Sequence, residues 1–426
     1  MNPSLWRHKN FILFWLGQFL TSLGSSMTGF AVTIWAFQET GSALILSVSG
    51  MLVMLPRAVG GILTAPFVDK LNKKRVILFS DLGAGLCTLV LFVLFTTGRL
   101  EIWHVFAVNF AAGLIRSVQI PAHAVVVSLL VPKAHYVKAG GLQSFSQGTV
   151  QVLSPMLAAA LLGFVDMNGV MAFDMVSMLF AAGTLLFFVK IPVMEVAEKS
   201  ITGLRHYVHE LREGVAAVLR VPILRPLMVL HIYINFVSGI TYFNLISPMI
   251  LLRTNGDAQA LALVNGGLGI GGIVGGFLIA LLPATRSKIK MMYVCIGLSF
   301  LLGDFSFALG QSLWLWVIAG FLSNLVIPPF TANEDYFWRT TIPLDIQGRA
   351  FSFRNVLNAG VIPLGMVLGG VLADYVFEPF MANRGGEPGD GMGLMFLVTG
   401  ITGVIICLCG FFNKRLTRLE REVESV

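Results

Sequence analysis

Of the 426 residues, 56% are apolar and 12% charged, and the formal net charge is +7; soluble domains average roughly 45–50% and 25%. This balance excludes an ordinary soluble enzyme and leaves no stretch for a large aqueous domain, hence no ATP-driven pump. With no separate basic domain, the positive charge belongs in loops lying against anionic lipid headgroups, and no nucleic acid is expected as a partner.

Taken in chain order, twelve apolar stretches cover residues 11–36, 43–68, 76–97, 104–130, 139–164 and 170–190, then 226–252, 259–283, 289–309, 312–337, 350–376 and 392–412. Each is long enough to cross the hydrocarbon as a helix. The first is too long for a signal-peptide core and no small-residue cleavage site follows it, so it stays as a helix. Of the 29 Lys and Arg, 23 fall in alternate gaps; Arg99, Arg253 and Arg384 lie in the other gaps, and Arg57, Arg116 and Arg354 lie within stretches. Positive charge is retained on the cytoplasmic side, so the pattern predicts a multi-pass protein of the plasma (bacterial inner) membrane with both termini cytoplasmic.

The longest polar segment, 193–225, separates six stretches from six. Its Leu204, Tyr207, Val208, Leu211 and Val215 recur by threes and fours, which predicts an amphipathic cytoplasmic helix. The expected domains are therefore an N-terminal bundle of 1–192, a linker of 193–225, and a C-terminal bundle of 226–426 with a short cytoplasmic tail. An internal repeat supports the division. Gly60-Gly61-Ile62-Leu63-Thr64-Ala65 precedes Lys73, Lys74 and Arg75, and Gly275-Gly276-Phe277-Leu278-Ile279-Ala280 precedes Lys288 and Lys290, at an offset of 215 residues. The fold class is all-α: twelve transmembrane helices in two pseudo-symmetric six-helix bundles, the plan of a secondary transporter. All four cysteines, Cys87, Cys295, Cys407 and Cys409, fall within apolar stretches. No disulfide framework, metal site or cofactor is expected.

Charged side chains inside such stretches are expensive and so belong at a wet interior or in an ion pair. Arg116 lies near the middle of the fourth stretch and Arg57 halfway along the second. Arg116 can bind an anionic group or join two helices; for Arg57 the joining role is preferred. Glu334 and Asp335 lie in the tenth stretch, where a buried carboxylate can exchange a proton. Asp335 and Arg339 have the spacing of a helical ion pair, which leaves Glu334 the freer acid. Asp81, Asp174 and Asp304 are expected to make helix-end or interhelical contacts, and His123 and His231 to be hydrogen-bonded core histidines. Polar stripes suggest a path: Gln18, Ser22, Ser25 and Thr28 in the first stretch, Asn235, Tyr242 and Phe243 in the seventh, Asn324 in the tenth. Such stripes also join helices by hydrogen bonds. Gly267, Gly271 and Gly275 suit backbone packing. No Gly-Lys-Ser or Gly-Lys-Thr follows them, so they do not form a phosphate loop.

Trp6-Arg7-His8-Lys9-Asn10-Phe11, Phe14-Trp15-Leu16-Gly17-Gln18, Gly24-Ser25-Ser26, Ser80 to Gly85 and the turn from Pro343 to Phe351 together resemble the major facilitator superfamily. The likeness is greatest to its drug:proton antiporter branch, which includes macrolide efflux proteins. Ala65, Asp69, Lys70, Asn72, Lys73, Lys74 and Arg75 occupy the places of the family's cytoplasmic loop motif, with Ala65 and Asn72 replacing its glycines. The resemblance implies a cytoplasmic gate in which Asp69 approaches the start of the eleventh helix beyond Gly348 and Arg349. A topogenic basic loop is the plainer reading. Arg116 and Gln119 match the family's Arg and Gln spacing in the fourth helix. Gly148 and Pro155 match part of the exporter motif in the fifth, where Ser154, Ala158 and Ala159 depart from it.

What the resemblance implies is a monomeric exporter of hydrophobic or amphipathic drugs, macrolide-like or multidrug, conferring antibiotic resistance and driven by protons through alternating access. The first, fourth, seventh and tenth helices would line the path. The substrate and proton residues expected there are Arg116, Gln119, Glu334, Asp335, Gln18, Ser25, Asn235 and Tyr242. An uptake carrier or facilitator of the same fold would reveal itself by inward counterflow of a nutrient. A non-transporting receptor or scaffold would show no substrate protection at Arg116.

Overall fold

A computed structural model describes residues 8–68, 71–132, 136–191, 204–281 and 287–424. Among the described residues every regular element is helical. Hydrocarbon offers no water to a bare peptide group, and a helix bonds each N–H and C=O within itself. Eight of the described helices are long and apolar enough to cross a membrane, or nine if one bent pair is a single span. The protein is thus an all-α, multi-pass membrane protein. It divides into two compact units: one takes the chain up to Thr40 and from Val48 to the middle, the other Gly41–Ser47 and Leu204 onward.

The first unit is built from α1 (Lys9–Thr40), α2 (Ala43–Val68), α3 (Lys73–Thr96), α4 (Ile102–Leu130) and α5 (Tyr136–Gly183), the last continued by a π turn at Thr184–Phe188. Asn72 accepts from the backbone N–H groups of Lys74 and Arg75, so the residue standing in place of a family glycine caps α3. A reciprocal capping box between Glu101 and His104 opens α4. The 48 residues of α5 would reach roughly 70 Å if straight, but Val165 (φ −135°) and Asp166 (φ 55°) leave helical geometry. One level of α1 meets both arms. The Ser154 hydroxyl donates to the Leu23 carbonyl at 3.4 Å, and a Cβ on Gly24 would stand 2.9 Å from the Asp174 Cα. On a straight helix positions 154 and 174 would be about 30 Å apart, so the chain doubles back at Val165–Asp166. Leu23, Met27 and Ala31 of α1 fill the core between Ala158 of one arm and Val170 and Met171 of the other.

Alongside these, α2 and α4 run in the same direction. Asn109 donates to the Ser49 hydroxyl at 2.7 Å, a Cβ on Gly113 would meet the Val53 carbonyl and Pro56, and one on Gly60 would meet Ser117. Both members of each successive pair rise in number, as parallel helices require.

The second unit contains α6 (Leu204–Arg220), α7 (Leu224–Ile240), α8 (Ile246–Arg253), α9 (Ala258–Leu281) and α10 (Lys288–Leu298), which passes through a π turn at Ser299–Asp304 into α11 (Phe305–Leu309). Then follow α12 (Leu313–Leu325), α13 (Ile327–Thr341), α14 (Leu344–Leu372), a π turn at Ala373–Phe377, α15 (Glu378–Ala382), α16 (Asp390–Phe411) and α17 (Lys414–Glu424). A core of Leu224, Leu227, Leu230, Met292, Ile296, Phe337 and Trp338 joins α7, α10 and α13.

Two stretches read from the sequence as continuous are interrupted. At Thr241–Leu245 the backbone leaves the helix because Tyr242 turns its hydroxyl to Asp304 at 2.6 Å and Asn244 donates to the Met366 carbonyl at 2.9 Å. Irregular backbone at membrane depth is tolerated where protein buries it, and Thr241, Asn244 and Leu245 are buried. At Val326 the chain restarts as α13 with prolines in its first turn; proline disfavours helical geometry in the residue before it. Within the linker α6 is helical, and Gly214 and Val218 are buried, Gly214 against the backbone of Arg349. Residues 193–203 of that linker lie outside the described residues. The expected tail is partly helical as well. In α17, Leu416 is buried and the Glu420 carboxylate accepts from Ser287 and from the backbone N–H groups of Lys288 and Ile289, the first turn of α10.

Candidate functional site: polar clusters inside each unit

Inside the first unit two carboxylates are held by neutral donors from other helices. Gln18 of α1 and Gln119 of α4 donate to the two oxygens of Asp81 at 2.9 and 2.6 Å. Ser25 of α1 and Thr88 of α3 donate to those of Asp174 at 3.0 and 2.7 Å. Gln18, Gln119 and Ser25 therefore act as helix-joining groups. Arg116 lies inside the unit within the electrostatic reach of Arg57 and Asp174. The His123 ring lies tilted against Phe14, centroids 5.0 Å apart, and meets Gln143 at 3.4 Å.

Inside the second unit a buried polar group spans α7, α13 and α14. His231 Nδ1 stands 2.8 Å from the Glu334 carboxylate, at an angle unsuited to a hydrogen bond, and Nε2 stands 2.7 Å from the Asn358 side-chain oxygen. An amide oxygen only accepts, so Nε2 carries a hydrogen. The facing Nδ1 and carboxylate are both buried and lie side by side. Glu334 is thus not the free acid the sequence suggests, and His231, set aside as a core residue, is its partner. A separation of 103 positions gave no local signal; the only hint was an ionisable ring in an apolar run.

Asp335 does not pair with Arg339. It meets Arg354 of α14 at 2.7 Å, while Arg339 lies over the Phe351 ring. Asn235 donates to the His231 carbonyl within its own helix at 2.8 Å. Tyr242 is packed edge-on between Phe307 and Phe396 with its hydroxyl on Asp304, which Thr399 of α16 also contacts at 2.9 Å.

Of the cytoplasmic motif, Asp69 and Lys70 lie outside the described residues. The Lys73 ammonium reaches the Leu71 carbonyl at 3.1 Å, and that of Lys74 reaches the Leu186 and Val189 carbonyls at 3.1 and 2.8 Å, closing the end of α5. Arg75 is exposed. Gly348 is in the first turns of α14, and Arg349 pairs with Glu213 of α6 at 2.5 Å. Among the described residues no group of three or more His, Cys, Asp or Glu is placed to hold a metal ion.

The arrangement joins helices through buried polar triads. Residues 14–303 match the Major Facilitator Superfamily, more than half the chain. The chain belongs to that superfamily: it is a multi-pass secondary transporter, not an enzyme. It is 25% identical over 414 residues to macrolide efflux protein A of Streptococcus pyogenes, covering 96% of this chain and 97% of that one. It is 24% identical over 428 residues to the multidrug efflux pump Tap of Mycolicibacterium fortuitum, covering 95% and 97%. The crystal structure of a bacterial homolog of the human lysosomal transporter Spinster, inward-facing and unoccupied, matches with a TM-score of 0.69 at 15% identity, covering 99% of each chain.

Proposed function

We propose that the protein exports hydrophobic or amphipathic drugs, macrolide-like or broader, by proton-coupled antiport. In this reading twelve transmembrane helices form two six-helix bundles, 1–192 and 226–426, joined by the linker 193–225. The monomer sits in the bacterial inner membrane with both termini cytoplasmic and works by alternating access. The efflux relatives, similar over nearly the whole length, support the direction. The observation that carries the coupling is the buried His231–Glu334 contact. It sets two ionisable groups side by side away from water, and a transporter can tie the protonation of such a pair to ligand occupancy by a change in its surroundings.

The test is drug accumulation in cells stripped of other pumps. Expression should lower the steady-state level of a macrolide or a cationic dye, and a proton uncoupler should restore it. Unchanged accumulation with and without uncoupler refutes export; net inward counterflow of a nutrient would assign the fold to uptake instead.

A further inference from the structure

Two guanidinium groups stand midway along neighbouring helices of the first unit. Arg116 is at the centre of α4 (Ile102–Leu130) and Arg57 in the middle turns of α2 (Ala43–Val68). The contacts that hold these parallel helices together bracket both: a Cβ on Gly113 would lie 3.2 Å from Pro56, and one on Gly60 would lie 2.8 Å from the Ser117 Cβ. The two arginines therefore share a level and feel each other's charge. Among the described residues neither makes a hydrogen bond or an ion pair. The acids within the unit do not neutralise them at contact distance. Asp174 acts on Arg116 through its field, but its oxygens are taken by Ser25 and Thr88, and those of Asp81 by Gln18 and Gln119.

Like charges repel where screening is weak; Arg116 is half-buried, while the Arg57 side chain is exposed and open to a ligand. Such a pair lasts when an anion sits across both forks. Guanidinium suits that role because its planar donors match carboxylate and phosphate oxygens. A cationic head group is repelled from the same place.

We propose that Arg57 and Arg116 form a binding site for the anionic head group of an amphipathic molecule, a carboxylate, sulfonate or phosphate on an apolar body. This goes beyond the transport reading, whose own test uses a macrolide or a cationic dye, by assigning a separate site for an anionic amphipath; it rests on that reading for the ligand's movement but not for its binding. The same chemistry is carried by a transported solute and by a phospholipid head group.

The experiment uses the full chain in neutral detergent, titrated with dodecyl phosphate and separately with dodecyltrimethylammonium, with binding followed by tryptophan fluorescence. Dodecyl phosphate should bind and the ammonium compound should not compete. Arg57→Gln and Arg116→Gln should each weaken binding about tenfold or more, as losing a charge-assisted contact does, while Arg57→Lys and Arg116→Lys should retain part of it. Native mass spectrometry of protein extracted from phosphatidylglycerol bilayers separates the sources: a phospholipid retained by the parent and lost from the glutamine variants identifies a lipid site, and none retained identifies a solute site. Equal dodecyl phosphate affinity in parent and variants overturns the proposal. If the glutamine variants fail to fold, displacement by dodecyltrimethylammonium in the parent overturns it equally. Intact anion binding without drug export sinks the export reading alone; export without anion binding sinks this site alone.

Discussion

Replacing Gly267 by alanine probes how closely α9 approaches α12. Gly267, Gly271 and Gly275 lie one turn apart on α9 and face the carbonyls of Val317, Phe321 and Leu325, themselves one turn apart on α12. A Cβ on Gly267 would stand 2.5 Å from the Val317 oxygen, where ordinary contact begins at 3.4 Å, so the helices must separate locally by about 0.9 Å. A gap of ~0.5–1 Å forfeits a quarter to a half of the dispersion attraction of the atoms involved, and overpacking of this kind costs about 1–3 kcal/mol. For a domain of 150–250 residues that lowers the melting temperature by roughly 2–12 °C. Gly276 supplies the control: a Cβ there meets nothing within 4 Å, and alanine adds helix propensity of up to about 1 kcal/mol. Thermal melting of the two variants in one detergent, followed by tryptophan fluorescence, should show Gly267→Ala clearly lowered and Gly276→Ala unchanged or raised. Equal melting of both would refute backbone-to-backbone packing of these helices.

Glu334→Gln removes the carboxylate facing His231 while keeping the shape. Drug efflux from vesicles should lose its response to an imposed pH gradient while drug binding persists, and efflux that still follows the gradient would remove Glu334 from the coupling. Glu420→Ala uncaps α10 by deleting the acceptor of two backbone N–H groups and the Ser287 hydroxyl. It should destabilise by about 1–3 kcal/mol and expose α17 to limited proteolysis, whereas an unchanged cleavage rate would show that α17 is held by Leu416 and its apolar neighbours alone. The Arg349–Glu213 pair has side chains 37% and 41% exposed, so a double-mutant cycle on melting should return a coupling of only about 0.2–1 kcal/mol; several kcal/mol would mean that the pair is shielded from water.

The sequence repeat has a counterpart in the packing that no alignment of motifs reveals. In the first unit Thr88 on α3 and Ser25 on α1 donate to Asp174 on the returning arm of α5. In the second, Thr399 on α16 and Tyr242 after α7 donate to Asp304 on the α10–α11 span. The third and sixth stretches of each half have exchanged acid and threonine, so the contact persists while the residues trade places.

The long apolar helices were legible because transfer into hydrocarbon depends on local composition. The run of residues 390–411 reads as a helix whatever its neighbours are. Glycine spacing on α9 likewise announced close packing, though not the helix that receives it. Partners were not legible. Gln18 and Asp81 are 63 residues apart, Ser25 and Asp174 149, and a helical period says which face a residue occupies without saying what lies opposite. Asp335 illustrates the limit: Arg339 had the right spacing along one helix, yet Arg354 of α14 supplies the closer fork. The break at Thr241–Leu245 was decided in the same way, since an apolar run gives no reason to leave the helix until Asp304 and Met366 present their acceptors. Hydropathy is a property of a segment, and so the chain alone determined which stretches are long and apolar enough to cross a membrane; a buried hydrogen bond is a property of two distant segments, and so only the packed helices decided which partner each polar side chain finds.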